Sequence, residues 1–311
     1  MGAGDAPGMA RTSQSGPDGL AVVDKEAGWT SHDVVAKSRG LLGTRKVGHA
    51  GTLDPDATGV LLLGVGRVTR LLRFLTVLGK SYVGEVVLGT ETDTLDAAGE
   101  VTATHDMAGV TLCDVRRSAE SFTGPIEQVP PMVSALKVDG RRLHELARQG
   151  IEVERHARPV TIHRLDIGAV ESEPLVFRLE VSCSSGTYIR SLAADLGTAL
   201  GGGAHLRSLR RTSVGSFHLA EAVPLESVTP RGLLSPAEAV RDLVPVTVDV
   251  EVAAAVRFGK VLPAATLGVE DAAVAGPWAV LDGATGSLLA VYQPHRDQTV
   301  KPAVVVAPAG G

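Results

Sequence analysis

Segments with the pattern of β-strands follow one another along this chain more often than they alternate with helices. Apolar or alternating runs lie at 20–25, 60–65, 81–88, 159–169 and 175–182, and turn-forming residues separate them. Strands that are neighbours in sequence usually pair in space, and short connections make such pairs antiparallel. The pattern therefore predicts an α+β fold with a mixed, largely antiparallel central sheet that is decorated by helices.

Five other segments of the main part of the chain have the features of helices, four between these runs and one after the last. Thr30 or Ser31 can cap a helix that continues to about Leu42, with Asp33 in its first turn. The other helices are predicted at 67–78, 114–122, 141–149 and 187–200. A further strand is predicted at 132–137, and a loop is predicted at 45–59, which has three glycines, one proline and no periodic pattern.

Composition divides the chain into four parts. Residues 1–18 are mostly small and polar, so we expect a disordered tail. Residues 19–225 form the main domain, and prolines mark a linker at 226–245. The last part, 246–311, combines a helical pattern with short strands and Asp-Gly and Gly-Ser turns, which predicts a small β-rich module.

The overall composition excludes several classes of protein. With 44% apolar and 21% charged residues, the 311-residue chain is typical of a soluble globular protein. No apolar run reaches the roughly 18 residues of a membrane-spanning helix, and 1–18 lack the apolar core of a secretory signal. Cys113 and Cys183 are too few for a disulfide framework, so we expect small core residues in a protein of the reducing cytoplasm.

The formal net charge of −5 argues against a nucleic-acid partner only if the charge is evenly spread. It is not, because 34–80 contains eight basic and two acidic residues, whereas 85–106 contains six acidic residues and no Lys or Arg. Arg207, Arg210 and Arg211 form a second basic cluster. Such clusters either contact phosphates or form the solvated face of a helix.

The loop at 46–59 carries the strongest chemical signal. Asp54 precedes a proline, which favours an extended backbone, and the flanking glycines allow close approach of a ligand. A carboxylate on such a loop can act as a nucleophile or as a general base. On local chemistry alone, a surface turn that Asp54 merely caps is the favoured interpretation, and Asp56 has the same ambiguity.

Within this loop, the segment GHAGTLDPDATGVL at 48–61 resembles the catalytic-loop motif of the bacterial tRNA pseudouridine-55 synthases, the TruB family. The resemblance covers about residues 19–220, and the chain beyond 245 is more weakly similar to the small RNA-binding, PUA-like module of these enzymes. Four further blocks match in family order: KSYVGEVVLGTETDTLDAAG at 80–99, PPMVSALKVDGRRLHELARQGIEVERHARPV at 130–160, CSSGTYIRSLAADLG at 183–197 and GGGAHLRSLRRTSVG at 201–215.

The resemblance implies a pseudouridine-synthase fold and isomerisation of one uridine in the tRNA T-loop. In this reaction the glycosidic bond is cut, the base turns over and a carbon–carbon bond forms, so neither a cofactor nor a metal is required. The sequence agrees, because it contains no phosphate-binding glycine motif and no Cys/His cluster at ligand spacing. The expected partner is the T-arm of tRNA, bound by a monomeric enzyme.

The resemblance also assigns three catalytic residues. Asp54 matches the nucleophilic carboxylate, and Arg190 matches the arginine that pairs with it and keeps its pKa low. Tyr82 matches the tyrosine that stacks on the flipped base. Without the resemblance, Arg190 is equally an exposed helix residue and Tyr82 an ordinary strand aromatic.

Six further residues are assigned to substrate binding. His49 matches the histidine that fills the space left by the flipped base, while Tyr188 and Leu209 match residues that line the pocket. Lys25 matches a conserved lysine, and Arg210 and Arg211 are expected to contact phosphates. Two positions depart from the family pattern, with Glu26 in place of a proline and Val133 in place of an aromatic residue.

Two other functions fit part of this pattern. An RNA-binding module without turnover would keep the scaffold, although the complete set of Asp54, Tyr82 and Arg190 disfavours loss of catalysis. A carboxylate-dependent glycosidase requires a second carboxylate near the first, and Asp56 is the only close candidate in the sequence.

Overall fold

The structure is a computed structural model that describes residues 16–134, 137–138, 141–142, 149, 151, 153–270 and 275–306. Its helices are α1 (Ser31–Leu41), α2 (Leu72–Thr76), α3 (Leu112–Glu120), α4 (Ile189–Ala199) and α5 (Val250–Arg257). The strands of the main domain are β1 (Gly19–Lys25), β2 (Val47–Ala50), β3 (Thr58–Val65), β4 (Lys80–Leu88), β5 (Thr90–Thr92), β6 (Val101–Thr104), β7 (Gly124–Gln128), β8 (Lys137–Val138), β9 (Arg141–Arg142), β10 (Arg158–Ala169), β11 (Val176–Cys183), β12 (Ala204–Val214), β13 (Phe217–His218) and β14 (Val223–Pro224). The C-terminal strands are β15 (Val244–Val248), β16 (Leu262–Pro263), β17 (Trp278–Asp282), β18 (Leu288–Pro294) and β19 (Thr299–Val305).

A ten-stranded sheet forms the centre of the main domain. Eight strands lie in the order β14-β1-β3-β12-β4-β11-β10-β7, with β2 added to β3 and β13 to β12. Among the strand pairs of this sheet in the described residues, β1–β14 and β3–β12 are parallel and the others are antiparallel. The predicted mixed, largely antiparallel sheet is therefore confirmed.

Strand β12 joins the two halves of this sheet, yet the sequence pattern assigned it no structure. It pairs with β4 on one side and β3 on the other. Bulges at Leu206/Ser208 and Arg211/Ser213 break its alternation, and three arginines lie within it. A register shift moves side chains between faces, so the period-two signal of a strand is lost.

Helices cover the sheet through apolar faces. Val115 of α3 and Leu192 of α4 are buried with Val86 and Leu179 of the sheet in one core cluster. Helix α1 begins at a capping box in which Thr30 accepts from the Asp33 backbone N–H, as its sequence predicts.

The structure departs from the predicted elements at two helices, one strand and one loop. The segment predicted as one helix at 67–78 is a 3₁₀ turn at Gly66–Arg70 followed by the short α2. Part of the predicted loop is strand β2, and 132–134 form no strand. Arg141 begins strand β9 rather than a helix, and 143–148 of that predicted helix lie outside the described residues.

The C-terminal part forms a separate five-stranded sheet in the order β15-β17-β18-β19-β16, with α5 packed on β18 and β19. Its β-rich character is as predicted. One apolar cluster joins it to the main domain, because Leu62 and Phe74 are buried with Val291 and Val304. Residues 1–15 of the predicted tail lie outside the described residues, while Asp18 pairs with Arg67 at 2.6 Å.

Candidate active site

Asp54 lies on a tight loop between β2 and β3 that several buried groups hold in place. Ser31 at the start of α1 bonds both the N–H of Leu53, at 2.9 Å, and its carbonyl, at 3.2 Å. The loop is followed at the start of β3 by Gly59, whose φ of +100° suits glycine. A Cβ at Gly59 would lie 2.2 Å from the carbonyl oxygen of Arg211, so the two backbones approach closely. The nucleophile candidate is thus carried by a rigid turn.

Lys25 holds the same loop from the protein interior. It is 1% exposed, and its ammonium donates to the carbonyls of Glu26, Trp29 and Pro55 at 2.7–2.9 Å. An ammonium has three donors, and all three are used. The prediction that Lys25 binds substrate is corrected, because the structure places its charge in the interior as a support of the loop. Burial lowers the pKa of Lys25 to about 8.

The contact of Lys25 with the Glu26 backbone explains why glutamate can replace the family's proline at this position. Lys25 bonds the carbonyl oxygen of Glu26, a group that proline also has, and the Glu26 side chain is exposed. The Gly28 N–H donates to the Pro55 carbonyl at 3.0 Å. The local turn is therefore tied to the catalytic loop with glutamate at this position.

Arg190 pairs with Asp54, as predicted. Its Nη2 lies 3.0 Å from Asp54 Oδ2, and the guanidinium also donates to the carbonyls of Thr94 and Val133 at 3.0 and 2.8 Å. The Val133 contact is made by the backbone, so the replacement of an aromatic side chain there leaves it intact. These bonds fix the guanidinium before any substrate arrives.

A second carboxylate, which the sequence did not reveal, meets the same arginine. Asp96 Oδ2 lies 3.4 Å from Arg190 Nη1. The stretch around Asp96 resembled an acidic turn, and only its place within a family block could have identified it. Asp56, the carboxylate closest to Asp54 in the sequence, is exposed and lines a cavity together with Asp54 and Asp96.

Burial and the neighbouring charges act in opposite directions on the pKa of Asp54. Burial raises the pKa of the Asp54 carboxyl, and the nearby Arg190 cation counteracts that rise. The negative charge of Asp96 raises the pKa of Asp54 further, while the Lys25 ammonium lowers it. Proton affinity at Asp54 is therefore set by its burial and three buried or half-buried charges.

Two adjoining recesses meet at Asp54. The larger has a volume of about 370 Å³, and Asp54, Asp96, Val133, Arg190 and Leu209 are among its lining residues. A smaller recess of about 60 Å³ is lined by Leu53, Asp54, Tyr82, Thr187, Tyr188, Ile189, Arg190 and Leu209. The structure thus brings together five of the predicted site residues, from four separate segments of the chain.

The two tyrosines of the smaller recess are positioned differently. Tyr82 is 7% exposed on β4, and burial raises the pKa of its phenol, while the charge of Arg211 acts in the opposite direction. Tyr188 precedes α4, and Gln128 clamps its backbone: the Gln128 amide donates to the Tyr188 carbonyl at 3.0 Å and accepts from its N–H at 2.7 Å. Sequence reasoning missed Gln128, which is 2% exposed.

Comparison with known proteins connects this arrangement to a family. A model described as "TruB family pseudouridylate synthase (N terminal domain)" matches residues 39–189, and one described as "tRNA pseudouridylate synthase B C-terminal domain" matches 190–244. A protein of Arthrobacter sp. (strain FB24), named tRNA pseudouridine synthase B, is 46% identical over 94% of this chain and 97% of its own length. The chain belongs to the TruB family of pseudouridylate synthases.

Other relatives agree with the family. A tRNA pseudouridine synthase B of Symbiobacterium thermophilum is 50% identical over 78% of this chain and 82% of its own. Among solved structures, a chain of a Cbf5-Nop10-Gar1 complex is 26% identical, with a TM-score of 0.69 over 93% of this chain and 85% of that one. The second family model ends at residue 244, so most of the C-terminal sheet lies beyond the matched residues.

In this TruB-family synthase, Arg211 is not at the surface. It is 1% exposed and donates to three backbone carbonyls. This corrects the prediction that Arg211 contacts phosphate. Arg210 is half-exposed, but its guanidinium is bound to Asp24 at 2.6 Å and to Thr58 at 3.1 Å.

The basic residues at 34–80 also include both side chains that are held within the protein and side chains that are exposed. Lys80 is buried, and Arg67, Arg70 and Arg73 contact the C-terminal part of the chain through Val306, Val305 and Gln293. Four exposed cations remain that pair with no carboxylate among the described residues: Lys37, Arg39, Arg45 and Lys46. They lie at the end of α1 and just before β2, the strand that carries His49.

His49 is half-buried on β2, and its ring meets the ring of His32 edge to face, with 5.3 Å between centroids. Burial lowers the pKa of His49, so the neutral imidazole is favoured. Its role in filling the place of the flipped base stays a prediction.

Neither a metal site nor a membrane-spanning helix is found in the part of the chain that the structure describes. No group of three or more His, Cys, Asp or Glu side chains in that part of the chain is arranged to hold a metal ion. Among the helices described there, none is long and apolar enough to cross a membrane.

Proposed function

We propose that this pseudouridine synthase converts the uridine at position 55, in the T-loop of tRNA, to pseudouridine, with Asp54 as the nucleophile. The observation that carries the proposal is the Asp54–Arg190 pair at the junction of two recesses lined by Tyr82, Tyr188 and Leu209. The curated relatives are named as tRNA pseudouridine synthases, which supports tRNA as the substrate class.

The reaction requires little beyond an ionised carboxylate and a pocket that holds one base. The bond between C1′ of the sugar and N1 of uracil breaks, the base turns over, and C1′ bonds to C5 instead. The hydrogen at C5 leaves as a proton and N1 takes up a proton, so substrate and product are isomers. Asp54 is accessible for this step because its side chain is 44% exposed, whereas that of Arg190 is 5% exposed. An accessible carboxylate beside a fixed cation is an arrangement suited to nucleophilic catalysis.

The walls of the smaller recess suit a planar base. Tyr82 offers an aromatic face and Leu209 an apolar one, and stacking on an aromatic ring contributes about 1–3 kcal/mol per base. Extracting a base from a folded loop costs a few kcal/mol, so stacking offsets much of that cost.

Contacts with the RNA backbone supply further affinity. The exposed cations Lys37, Arg39, Arg45 and Lys46, which pair with no described carboxylate, are near β2 and are available for contacts with phosphates. Contacts of this kind are salt-dependent because each releases counterions. We also infer, from the sequence, that the enzyme acts as a monomer in the cytoplasm and that the T-arm is the part of tRNA it binds.

The proposal is tested by release of hydrogen from C5. A tRNA T-arm transcript made with uridine tritiated at C5 is incubated with wild-type protein, Asp54→Asn and Asp56→Asn. The wild type and the Asp56 variant are expected to release tritium, since Asp56 is exposed and unpaired with Arg190 among the described contacts. The Asp54 variant is expected to bind the RNA without release, and turnover by this variant at the wild-type rate would overturn the assignment.

A further inference from the structure

Arg211 and Lys25 are the two most deeply buried cations described near the active site, each 1% exposed. Arg211 lies on β12, directly opposite Tyr82 of β4 and beside Gly59 of β3. Its 1% exposure makes it one of the largest fully buried side chains described. Placing a charge in the interior is unfavourable unless its donors are satisfied, so its partners indicate what it does.

These partners are backbone carbonyls of the catalytic loop and of the strand that follows. Nε donates to Val60 at 2.7 Å, Nη2 to Gly51 at 3.2 Å and Nη1 to Thr52 at 3.4 Å. Within the described part of the chain, no carboxylate pairs with Arg211. The guanidinium therefore binds the loop two and three residues before Asp54, where a small shift moves the nucleophile.

The same residue also adjoins the other side of the pocket. Arg211 is the register partner of Tyr82 across β12 and β4, and Tyr82 lines the smaller recess with Asp54. The charge of Arg211 acts to lower the pKa of the Tyr82 phenol. The planar guanidinium presents its donors in a rigid fork, which a lysine ammonium cannot reproduce.

We propose that Arg211 is a positioning residue for pseudouridine formation, which holds the Gly51–Thr52 backbone of the catalytic loop in a fixed place beside Tyr82. Asp54 and Tyr82 then approach the uridine from set directions, and neither has to be organised during the reaction. The inference rests on the proposed function, since it concerns the rate of that reaction. A purely structural role predicts a different result, namely lower stability with an unchanged rate in the folded protein.

The first test separates rate from stability. Single-turnover rates and RNA affinity are measured on the full chain for wild type, Arg211→Lys, Arg211→Gln and the control Val240→Ala. Val240 is buried in the apolar cluster shared with the C-terminal sheet, so this control loses stability away from the site and is expected to keep its rate.

For the two Arg211 variants we expect the rate of pseudouridine formation to fall by about tenfold to a hundredfold, with the RNA dissociation constant unchanged within about twofold. If Arg211→Gln does not fold, Arg211→Lys, which keeps the charge, carries the test. A folded Arg211→Lys protein with the wild-type rate overturns the inference and leaves the proposed function intact. A wild-type protein that forms no pseudouridine overturns the proposed function itself.

The second test is independent of turnover. The chain has three tyrosines, so fluorotyrosine labelling gives a simple ¹⁹F NMR spectrum in which Tyr82→Phe identifies the Tyr82 resonance. Because Arg211 acts to lower the phenol pKa of Tyr82, Arg211→Gln is expected to shift that resonance and to raise its titration midpoint. The resonances of Tyr188 and Tyr292 are expected to stay in place. An unmoved Tyr82 resonance in a folded Arg211 variant contradicts the proposed placement beside Tyr82.

Discussion

The guanidinium of Arg190 lies 3.0 Å from the carboxylate of Asp54, and the two side chains differ sharply in exposure, at 5% and 44%. The cation is held by the carbonyls of Thr94 and Val133, whereas the carboxylate faces an open recess. The fixed partner is thus buried and the reactive partner is accessible. This asymmetry allows Asp54 to attack a substrate without losing the cation that favours its ionised form.

Replacing Arg190 changes the pH dependence of the reaction in a defined direction. The ionised form of Asp54 is the active one, and Arg190 counteracts the rise that burial causes in the pKa of Asp54. In Arg190→Gln that pKa rises further, so the acid limb of kcat/KM is expected to move to higher pH, with a lower plateau. Tritium release measured across the acidic range checks this, and an acid limb at the wild-type pH contradicts the role of Arg190.

Replacing Asp96 is expected to move the acid limb of kcat/KM to lower pH, opposite to the effect of replacing Arg190. Asp96 raises the pKa of Asp54 through its negative charge, so Asp96→Asn lowers that pKa and shifts the acid limb to lower pH. The plateau rate is expected to fall by about tenfold to a hundredfold, because Arg190 loses a partner that orients it. Asp93→Asn, an exposed residue of the same acidic segment, is the matched control. Equal profiles for both variants would show that Asp96 is not coupled to the site.

Gln128 is expected to contribute to stability through the backbone of Tyr188. Gln128→Ala leaves a partly buried N–H and carbonyl without their side-chain partner, which costs about 1–3 kcal/mol in the free energy of unfolding. Denaturant unfolding measures this loss, and Glu127→Ala, at an exposed neighbouring position, is expected to have little effect. A larger loss at Glu127 than at Gln128 contradicts the clamp.

Lys80 is expected to make stability depend on pH above neutrality. It is 7% exposed and donates to the carbonyls of Thr76 and Leu78, and burial lowers its pKa from 10.5 to about 8. Between these values the unfolded chain binds the proton more tightly, so unfolding becomes less favourable as the pH rises. Below about pH 8, both states are protonated at this lysine and the effect is constant.

The comparison with Lys80→Met isolates this contribution. The stability of the wild type relative to the variant is expected to increase from pH 8 towards pH 10, by at most about 1.4 kcal/mol per pH unit. Urea unfolding at several pH values gives the difference. A difference that falls over this range has the wrong sign for a lysine whose pKa is lowered by burial.

The pairing of Asp54 with Arg190 could be predicted because the segments that carry these residues resemble the motifs of a known family. The structure joins the two side chains in an ion pair. Strands β4 and β11 alternate regularly, so the sheet that supports Tyr82 was predicted as well.

The missed features depend on long-range contacts that leave no local signal. Asp96 meets Arg190 only because α4 packs close to an acidic turn distant in the sequence. Arg211 was expected at an RNA surface because it falls in a basic cluster with Arg207 and Arg210, and its burial follows from the position of β12 between β3 and β4. Arg67, Arg70 and Arg73 likewise contact the C-terminal part of the chain, which their spacing alone could not reveal.

The most direct test of the central claim is pseudouridine mapping, at single-nucleotide resolution, of unmodified tRNA transcripts incubated with the purified full chain. The proposed function predicts one new pseudouridine, at position 55 of the T-loop, for the wild type and none for Asp54→Asn at equal RNA occupancy. A wild-type product at another position, or equal modification by the Asp54 variant, would contradict the account.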